Sequence, residues 1–264
     1  MEGLVWNTMP SRFFQSFLDN GFAFQCLGDK QKGSGEISDF MLYIKSHLPN
    51  NTPMLETETL NKYISEWREY LYYYCFSKWP IPNNQLFNDF GQGSGIAMAF
   101  RKDSVIAACD IMYRESLKTP DFTYHETCYD DNDQVESINE LDPNALNAFI
   151  RFYEEYEFAF KKPTKFMNEN EWRVVMNLRG FLRNGGKPNI VDGRRIEFLP
   201  IAHKEIKRFA IRNESDESSD ENGSKGKMCD FLNQKCQEAG IKIKQIESNP
   251  DYQDDDLLVF DQIL

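Results

Sequence analysis

Residues 166–178 read FMNENEWRVVMNL, and they change from polar and charged to apolar as a loop does where it enters a strand. Alternate side chains of an extended chain share a face, so Glu169 and Glu171 are predicted to lie on one face together with Arg173. Trp172 and the valines after it then face a core. A buried strand rarely carries two acids and a base unless they are paired or used. This stretch is therefore the predicted functional site, and the alternative is a salt-bridge ladder at a sheet edge, where exposed pairs contribute about 0–1 kcal/mol.

The composition predicts a globular protein whose negative charge is concentrated in three segments. The chain has 264 residues and a net charge of −12. Residues 129–140, 214–221 and 251–264 each hold five acidic residues and no Lys or Arg, and the rest of the chain is close to neutral. A protein that binds duplex nucleic acid through bulk charge is more basic than this, whereas an anionic small ligand is compatible with it.

The cysteines and histidines indicate a reduced protein without a metal site. Six cysteines occur, none in a C-x-x-C pair and most in apolar surroundings, as in a cytoplasmic core. The three histidines are far apart in sequence, so no metal is expected. There is no signal peptide pattern and no apolar run long enough to span a membrane. We expect a cytoplasmic protein without membrane association, and the sequence leaves its oligomeric state open.

The order of apolar runs and turn residues predicts an α+β fold with a mixed, mostly antiparallel central sheet and flanking helices. Strands over 71–77 and 94–101 are expected to be neighbours in that sheet. The remaining predicted elements are helices over 11–20, 55–70, 84–90, 142–160 and 227–239 and strands over 22–27, 105–113, 194–199, 206–211 and 241–246.

The domain prediction is one α+β domain over residues 1–250. It carries an acidic insertion or lid over 115–142 and a disordered loop over 213–226, which is rich in Ser, Asp, Glu and Gly. An acidic tail over 251–264 follows. Because the tail contains the apolar run Leu257–Phe260, it is expected to dock on the body or on a partner.

Four motifs in this order resemble a bacterial and phage family known by number as domain-of-unknown-function family 2971. The resemblance covers roughly residues 4–212, and in place of the family's usual Trp and Tyr in the third motif the chain has Phe87 and Phe90. The motifs are Trp6, Met9, Phe14 and Leu18 followed by Phe22-Ala23-Phe24; then Cys75-Phe76-Ser77; then Leu86–Phe90 with Gly95–Phe100; and last Phe166, Glu169, Glu171 and Arg173 in the pattern F-x-x-E-x-E-x-R.

A weaker resemblance concerns ADP-ribosyltransferases of the arginine–serine–glutamate type, which place a serine at the end of one strand and an E-x-E pair before another. Cys75-Phe76-Ser77 and Glu169-Asn170-Glu171 look like these two parts. The resemblance implies that Glu171 stabilises the positive charge growing on the ribose as nicotinamide leaves, and that Glu169 orients or deprotonates the nucleophile. Ser77 would position Glu171 or the ribose.

The same resemblance implies that basic side chains hold the phosphates of NAD, which would be a substrate. Arg173 and Lys162 are candidates for this role, and Arg offers the bidentate fork that phosphates prefer. Such enzymes use an arginine on an early strand for the same purpose. The nearest residue here, Arg12, lies in a segment predicted to be a helix.

Two functions from different classes follow from these observations. One is an NAD-consuming transferase or glycohydrolase acting in phage–host conflict, with a protein or nucleic acid as acceptor. The other is a non-catalytic module that binds a nucleotide or a protein. The first predicts that Ser77 and Glu171 meet in one cleft, within about 10 Å, because shared catalysis requires hydrogen-bond reach.

Overall fold

A computed structural model of the chain describes residues 3–29, 68–79, 82, 84–91, 95–129, 160–162, 164–212, 224–246 and 257–263. The chain forms two compact units. The first unit consists of Met1–Ala23, Phe76–Arg114 and Phe198–Leu264, and the second consists of Phe24–Cys75 and Glu115–Glu197.

The described elements combine strands and helices, which confirms the predicted α+β class. The strands are β1 (Leu4–Pro10), β2 (Phe22–Cys26), β3 (Leu71–Ser77), β4 (Gly95–Arg101), β5 (Asp121–Glu126), β6 (Cys128–Tyr129), β7 (Lys161–Lys162), β8 (Glu171–Asn177), β9 (Ile190–Val191), β10 (Arg194–Leu199), β11 (Ile206–Arg212), β12 (Lys242–Gln245) and β13 (Leu257–Ile263). The α-helices are α1 (Phe14–Asn20), α2 (Asn84–Gly91), α3 (Lys102–Glu115), α4 (Arg179–Arg183) and α5 (Ser224–Glu238). Short 3-10 helices occupy Ser11–Phe13, Leu27–Asp29, Thr164–Glu169 and His203–Glu205.

In the first unit the apolar strand β4 lies between β1 and β11 and is antiparallel to both. Met98 at its centre is opposite Asn7 of β1 and Phe209 of β11. β13 follows beyond β11, and β12 pairs with β13. On the other side of β1, Trp6 is opposite Ser77 at the end of β3. An interior strand with both faces covered is expected to be apolar throughout, and all but the last residue of β4 is buried.

The two faces of this sheet are packed differently because side chains alternate along each strand. Ala97, Ala99 and Ala210 are small, and they pack in one cluster with the large buried rings of Trp6 and Phe87. Phe87 of the third sequence motif therefore sits in an apolar cluster.

Aromatic rings fill another part of the core of the first unit. Phe22 packs against Phe100 and Phe76 with ring centroids 4.9 and 5.1 Å apart, both in edge-to-face geometry. Phe17 of α1 lies 5.3 Å from the same ring. Burying rings of this size dominates the energetics of a core, so this group anchors α1 to the sheet.

The second unit is built around β8, which pairs with β5 on one side and with β3 on the other. The β5–β8 pair is antiparallel and runs from Asp121 opposite Asn177 to Glu126 opposite Trp172. β2 pairs antiparallel with β3, β10 lies beyond β2, and β9 pairs with β10. The short strands β6 and β7 form a separate parallel pair that sets Tyr129 opposite Lys162.

Two sequence predictions are wrong. Residues 105–113, predicted as a strand, lie in helix α3, because Val105, Ala108 and Cys109 follow helical spacing and are its buried residues. β3 and β4 are not neighbours, since β1 lies between them. The strand β1 was not predicted from the sequence.

Several other predicted elements are confirmed, and some lie outside the described residues. The helix over 11–20 and the strands over 71–77, 194–199 and 206–211 are present, and residues 257–263 of the predicted tail form β13. The predicted helices over 55–70 and 142–160 and the loop over 213–226 fall, except for their last residues, outside the described part of the chain. None of the described helices is long and apolar enough to cross a membrane.

Candidate functional site

A sharp turn at Asn170 brings the two glutamates of the signature together. Glu169 ends the 3-10 helix Thr164–Glu169, and Glu171 begins β8. Asn170 between them has φ of 44°, in the left-handed region that Asn tolerates better than most residues. The prediction that both glutamates share one face of an extended strand is therefore wrong, because the chain is not extended at Glu169. For Glu171 and Arg173, two residues apart on β8, the predicted shared face is confirmed.

Four buried charged side chains form one ion-pair network. Lys162 Nζ lies 2.6 Å from Glu169 Oε2 and 3.5 Å from Glu171 Oε1. Arg173 Nε and Nη2 each lie 2.8 Å from Glu171 Oε2. None of the four residues is more than 8% exposed. Two acids and two bases thus balance their charges in a site largely removed from water.

The burial of this network excludes the exposed edge ladder. Strand β8 has paired neighbours on both sides, so it is not an edge strand. Glu171 is only 2% exposed. A buried ion pair costs desolvation energy, and removing one partner leaves an uncompensated charge, so the four side chains depend on one another.

Phe166, the first residue of the signature, contacts the same network. Its ring centroid lies 4.6 Å from Lys162 Nζ, which is a cation–π distance. The Arg173 guanidinium carbon lies 5.9 Å from the Tyr73 ring centroid. Both cations therefore have an aromatic ring as well as a carboxylate beside them.

Two residues from the predicted insertion hold the backbone of Glu171. The Glu171 N–H donates to the Tyr129 hydroxyl at 2.8 Å, and the Thr127 N–H donates to the Glu171 carbonyl at 3.0 Å. Sequence reasoning missed both residues, because they lie in the acidic segment 115–142, for which an insertion or lid is predicted. The signal that could have identified a strand is the run FTYHETCY at 122–129, which is rich in aromatic and β-branched residues.

The environment of the network shifts the pKa values of its members. Burial, and then the hydrogen bond and negative charge of Glu171, raise the pKa of Glu169 to about 7, although Lys162 opposes the shift. Burial acts to lower the pKa of Lys162, but the charges of Glu171 and Glu169 outweigh it, so this pKa is raised and the lysine stays cationic. Burial, with a smaller effect of the two carboxylates, also raises the pKa of Tyr129, so its hydroxyl is neutral at physiological pH.

Two predicted site residues, Ser77 and Arg12, belong to the first unit. Ser77 is buried, and its Oγ accepts a hydrogen bond from the Trp79 N–H at 3.3 Å, as in a serine turn. Arg12 is exposed on the 3-10 helix Ser11–Phe13, with its guanidinium 4.8 Å from the Phe13 ring centroid. The meeting of Ser77 with Glu171 in one cleft and the binding of phosphate by Arg12 stay predictions.

The described residues contain no group of three or more His, Cys, Asp or Glu side chains arranged to hold a metal ion. All six cysteines are free thiols.

Comparison with known proteins identifies the segment that carries this network. Residues 86–174 match the family model described as protein of unknown function, DUF2971. The predicted family resemblance is confirmed over this segment. No curated protein and no solved structure matches the chain.

The DUF2971 segment contains every member of the ion-pair network and both residues that hold Glu171. It includes the last two of the four sequence motifs and ends at Val174, one residue after Arg173. The F-x-x-E-x-E-x-R signature of DUF2971 thus corresponds in this chain to a cation–π contact followed by a buried ion-pair network.

Proposed function

We propose that this DUF2971 protein is an NAD-consuming enzyme of the ADP-ribosyltransferase kind, with Glu171 and Glu169 at its reaction centre. The observation that supports the proposal most is the unequal pair of carboxylates. Glu171 Oε2 accepts a hydrogen bond from Arg173 Nε and forms an ion pair with Arg173 Nη2, whereas Glu169 has a pKa raised to about 7. Neighbouring acids with different environments are a common arrangement where an enzyme breaks a glycosidic bond, because one carries charge and the other moves a proton.

Glu171 would stabilise the charge that develops on the sugar. The bond between the ribose anomeric carbon and the nicotinamide nitrogen breaks, and its electron pair goes to that nitrogen, so nicotinamide leaves as a neutral molecule. The sugar becomes cationic as this bond lengthens. A carboxylate fixed in a water-poor site stabilises such a charge strongly, and Arg173 and Tyr129 hold Glu171 at the side chain and the backbone.

Glu169 would act as the general base. The nucleophilic atom of the acceptor, a protein or nucleic acid group or water, bonds to the anomeric carbon and its proton passes to Glu169. A base works best when its pKa is near the working pH, and Glu169 meets this condition with a pKa of about 7.

For Lys162 and Arg173 the ion pairs support a positioning role beside the phosphate contact that the sequence suggested. Both are already engaged by the carboxylates, at 2.6 to 3.5 Å. We propose that they position Glu169 and Glu171, and that any contact with the phosphates of NAD is additional. The setting in phage–host conflict is proposed from the family resemblance alone.

The direct test is nicotinamide release from NAD, with and without cell lysate as a source of acceptor. Wild-type protein is expected to release nicotinamide and to label a macromolecule. Glu171→Gln is expected to abolish both; because it also leaves Arg173 without its charged partner, thermal unfolding has to show that the variant is folded at the assay temperature. Glu126→Gln is the matched control, since it makes the same change at an exposed residue of β5. Stabilisation by NAD without release of nicotinamide would instead indicate a non-catalytic binding module.

A further inference from the structure

A buried hydroxyl beside the ion-pair network has no hydrogen-bond partner within the described residues. Thr127 is 7% exposed, and its Oγ1 neither donates to nor accepts from any described group. Buried hydroxyls in proteins are nearly always hydrogen-bonded, so such an exception needs a reason. A hydroxyl that is paired only when a ligand is bound is one such reason.

The strand pairing places this hydroxyl next to Glu171. The β5–β8 register ends with Glu126 opposite Trp172, and one step further the Thr127 N–H donates to the Glu171 carbonyl at 3.0 Å. Residues directly opposite in an antiparallel pair point to the same face, with Cβ atoms about 4.5–5.5 Å apart. If the register continues by this one residue, Thr127 is opposite Glu171 and the two side chains are expected on the same face of the pair.

We propose that Thr127 is a specificity-determining residue that binds one hydroxyl of the substrate ribose, while the Glu171 carboxylate accepts a hydrogen bond from the neighbouring hydroxyl. This inference rests on the proposed function and names the group that the site recognises. An ionised carboxylate can only accept hydrogen bonds, whereas a threonine hydroxyl can donate and accept. A pair of neighbouring sugar hydroxyls offers both donors and acceptors.

A sugar diol fits this pair better than an anion does. The four charged side chains already balance, and Glu171 would repel a phosphate placed against Thr127. A neutral group that donates one hydrogen bond to the Glu171 carboxylate and forms another with the Thr127 hydroxyl satisfies both side chains without adding charge. The ribose attached to nicotinamide is such a group in NAD.

The test compares Thr127→Val, which removes the hydroxyl at nearly constant shape, with Thr127→Ser, which retains it. The probes are NAD, ADP-ribose, and an NAD analogue whose nicotinamide ribose lacks its 2′ and 3′ hydroxyls. Thr127→Val is expected to weaken binding of NAD and ADP-ribose about tenfold and to leave binding of the analogue unchanged, because a site built to bind a hydroxyl discriminates against ligands without it. Thr127→Ser should bind all three like the wild type.

Thermal unfolding of the ligand-free variants provides an independent readout. Thr127→Val should be at least as stable as the wild type, because valine removes an unpaired buried hydroxyl. A marked loss of stability would show that the hydroxyl already has a structural partner and would overturn the proposal. Equal weakening for all three probes, or no weakening, would also overturn it.

Nicotinamide release separates this inference from the proposed function. Binding of ADP-ribose that depends on the Thr127 hydroxyl, without any release of nicotinamide, would refute the enzyme and retain the ribose site. Turnover of NAD that is indifferent to Thr127→Val would retain the enzyme and refute the role of Thr127.

Discussion

At the scale of single residues, Lys162 is the link between the two glutamates. It lies 2.6 Å from one carboxylate and 3.5 Å from the other, and it is buried beneath the ring of Phe166. Without it, the negative charges of Glu169 and Glu171 would be balanced by Arg173 alone. The sequence indicated Glu169, Glu171 and Arg173, because acids and a base at an apolar strand are uncommon, and it named Lys162 only as a candidate for phosphate binding. It could not indicate that Lys162 pairs with both glutamates.

Replacing this lysine is expected to destabilise the protein strongly. Lys162→Met should lower the free energy of unfolding at pH 8 by about 3–5 kcal/mol, because it leaves buried carboxylates without a partner. Chemical denaturation followed by circular dichroism measures this change.

A partly exposed lysine with a similar ion-pair distance is the matched control. Lys235 Nζ lies 2.7 Å from Glu238 Oε2 on the surface of α5, and Lys235→Met should change stability by about 0–1 kcal/mol. Equal effects of the two substitutions would contradict the account of a buried network.

At the scale of elements, turns and strand pairing decide where the site residues lie. The left-handed turn at Asn170 separates Glu169 from β8, which a periodicity of two could not reveal. Tyr129 reaches Glu171 through the pairing of β5 and β8 and of β6 and β7, which connects residues 42 positions apart. Local propensity does not encode such long-range pairing, and the acidic composition of residues 115–142 favoured the prediction of an insertion over that of strands. In contrast, the closing of α1 by Gly21 was predictable from the residue type alone.

Gly21 provides a test of this element-level account. Its φ is +86°, and an added Cβ would lie 2.1 Å from the Leu199 carbonyl oxygen. Gly21→Ala should therefore lower the free energy of unfolding by more than about 1 kcal/mol, through both backbone strain and the clash. Thermal unfolding of the variant measures the loss.

Gly180 is the control for the same substitution. It lies in α4, and an added Cβ there meets no atom within 4 Å. Gly180→Ala should stabilise the protein by about 0.5–1 kcal/mol, because alanine is the better helix former. A gain in stability at Gly21 would show that the close approach to Leu199 does not exist.

At the scale of the whole molecule, strands from distant parts of the sequence complete the sheet of the first unit. β13, within the predicted acidic tail, lies between β11 and β12, and it buries Val259 and Phe260. The prediction that the tail's apolar run docks on the body or a partner follows from composition. Its pairing with β11 depends on the register of two strands whose paired residues are 45 (Arg212 and Leu257) to 53 (Arg208 and Asp261) positions apart.

Removing residues 257–264 is expected to unfold the first unit. The truncation deprives β11 and β12 of a neighbour and exposes apolar side chains that each contribute about 1.5–3 kcal/mol, against a total stability of about 5–15 kcal/mol for a domain. The loss of a cooperative thermal transition measures this.

A substitution that removes one negative charge from β13 separates the contribution of strand pairing to stability from that of the acidic side chain. Asp261 Oδ1 accepts a hydrogen bond from Arg208 Nε at 2.8 Å, and Asp261→Asn should change stability by less than about 1 kcal/mol because the pair is partly exposed. A truncated protein that unfolds like the wild type would contradict the role assigned to β13.

The proposed cleavage of NAD by two unequal carboxylates is tested most directly by the pH dependence of nicotinamide release. Because the pKa of Glu169 is raised to about 7, the base is protonated below that pH. The rate constant kcat/KM should therefore rise about tenfold per pH unit up to pH 7 and then level off. Glu169→Gln should remove this rise and lower the plateau about 10²–10⁴-fold. A profile with the same rise in Glu169→Gln, or no release of nicotinamide at any pH, would contradict the account.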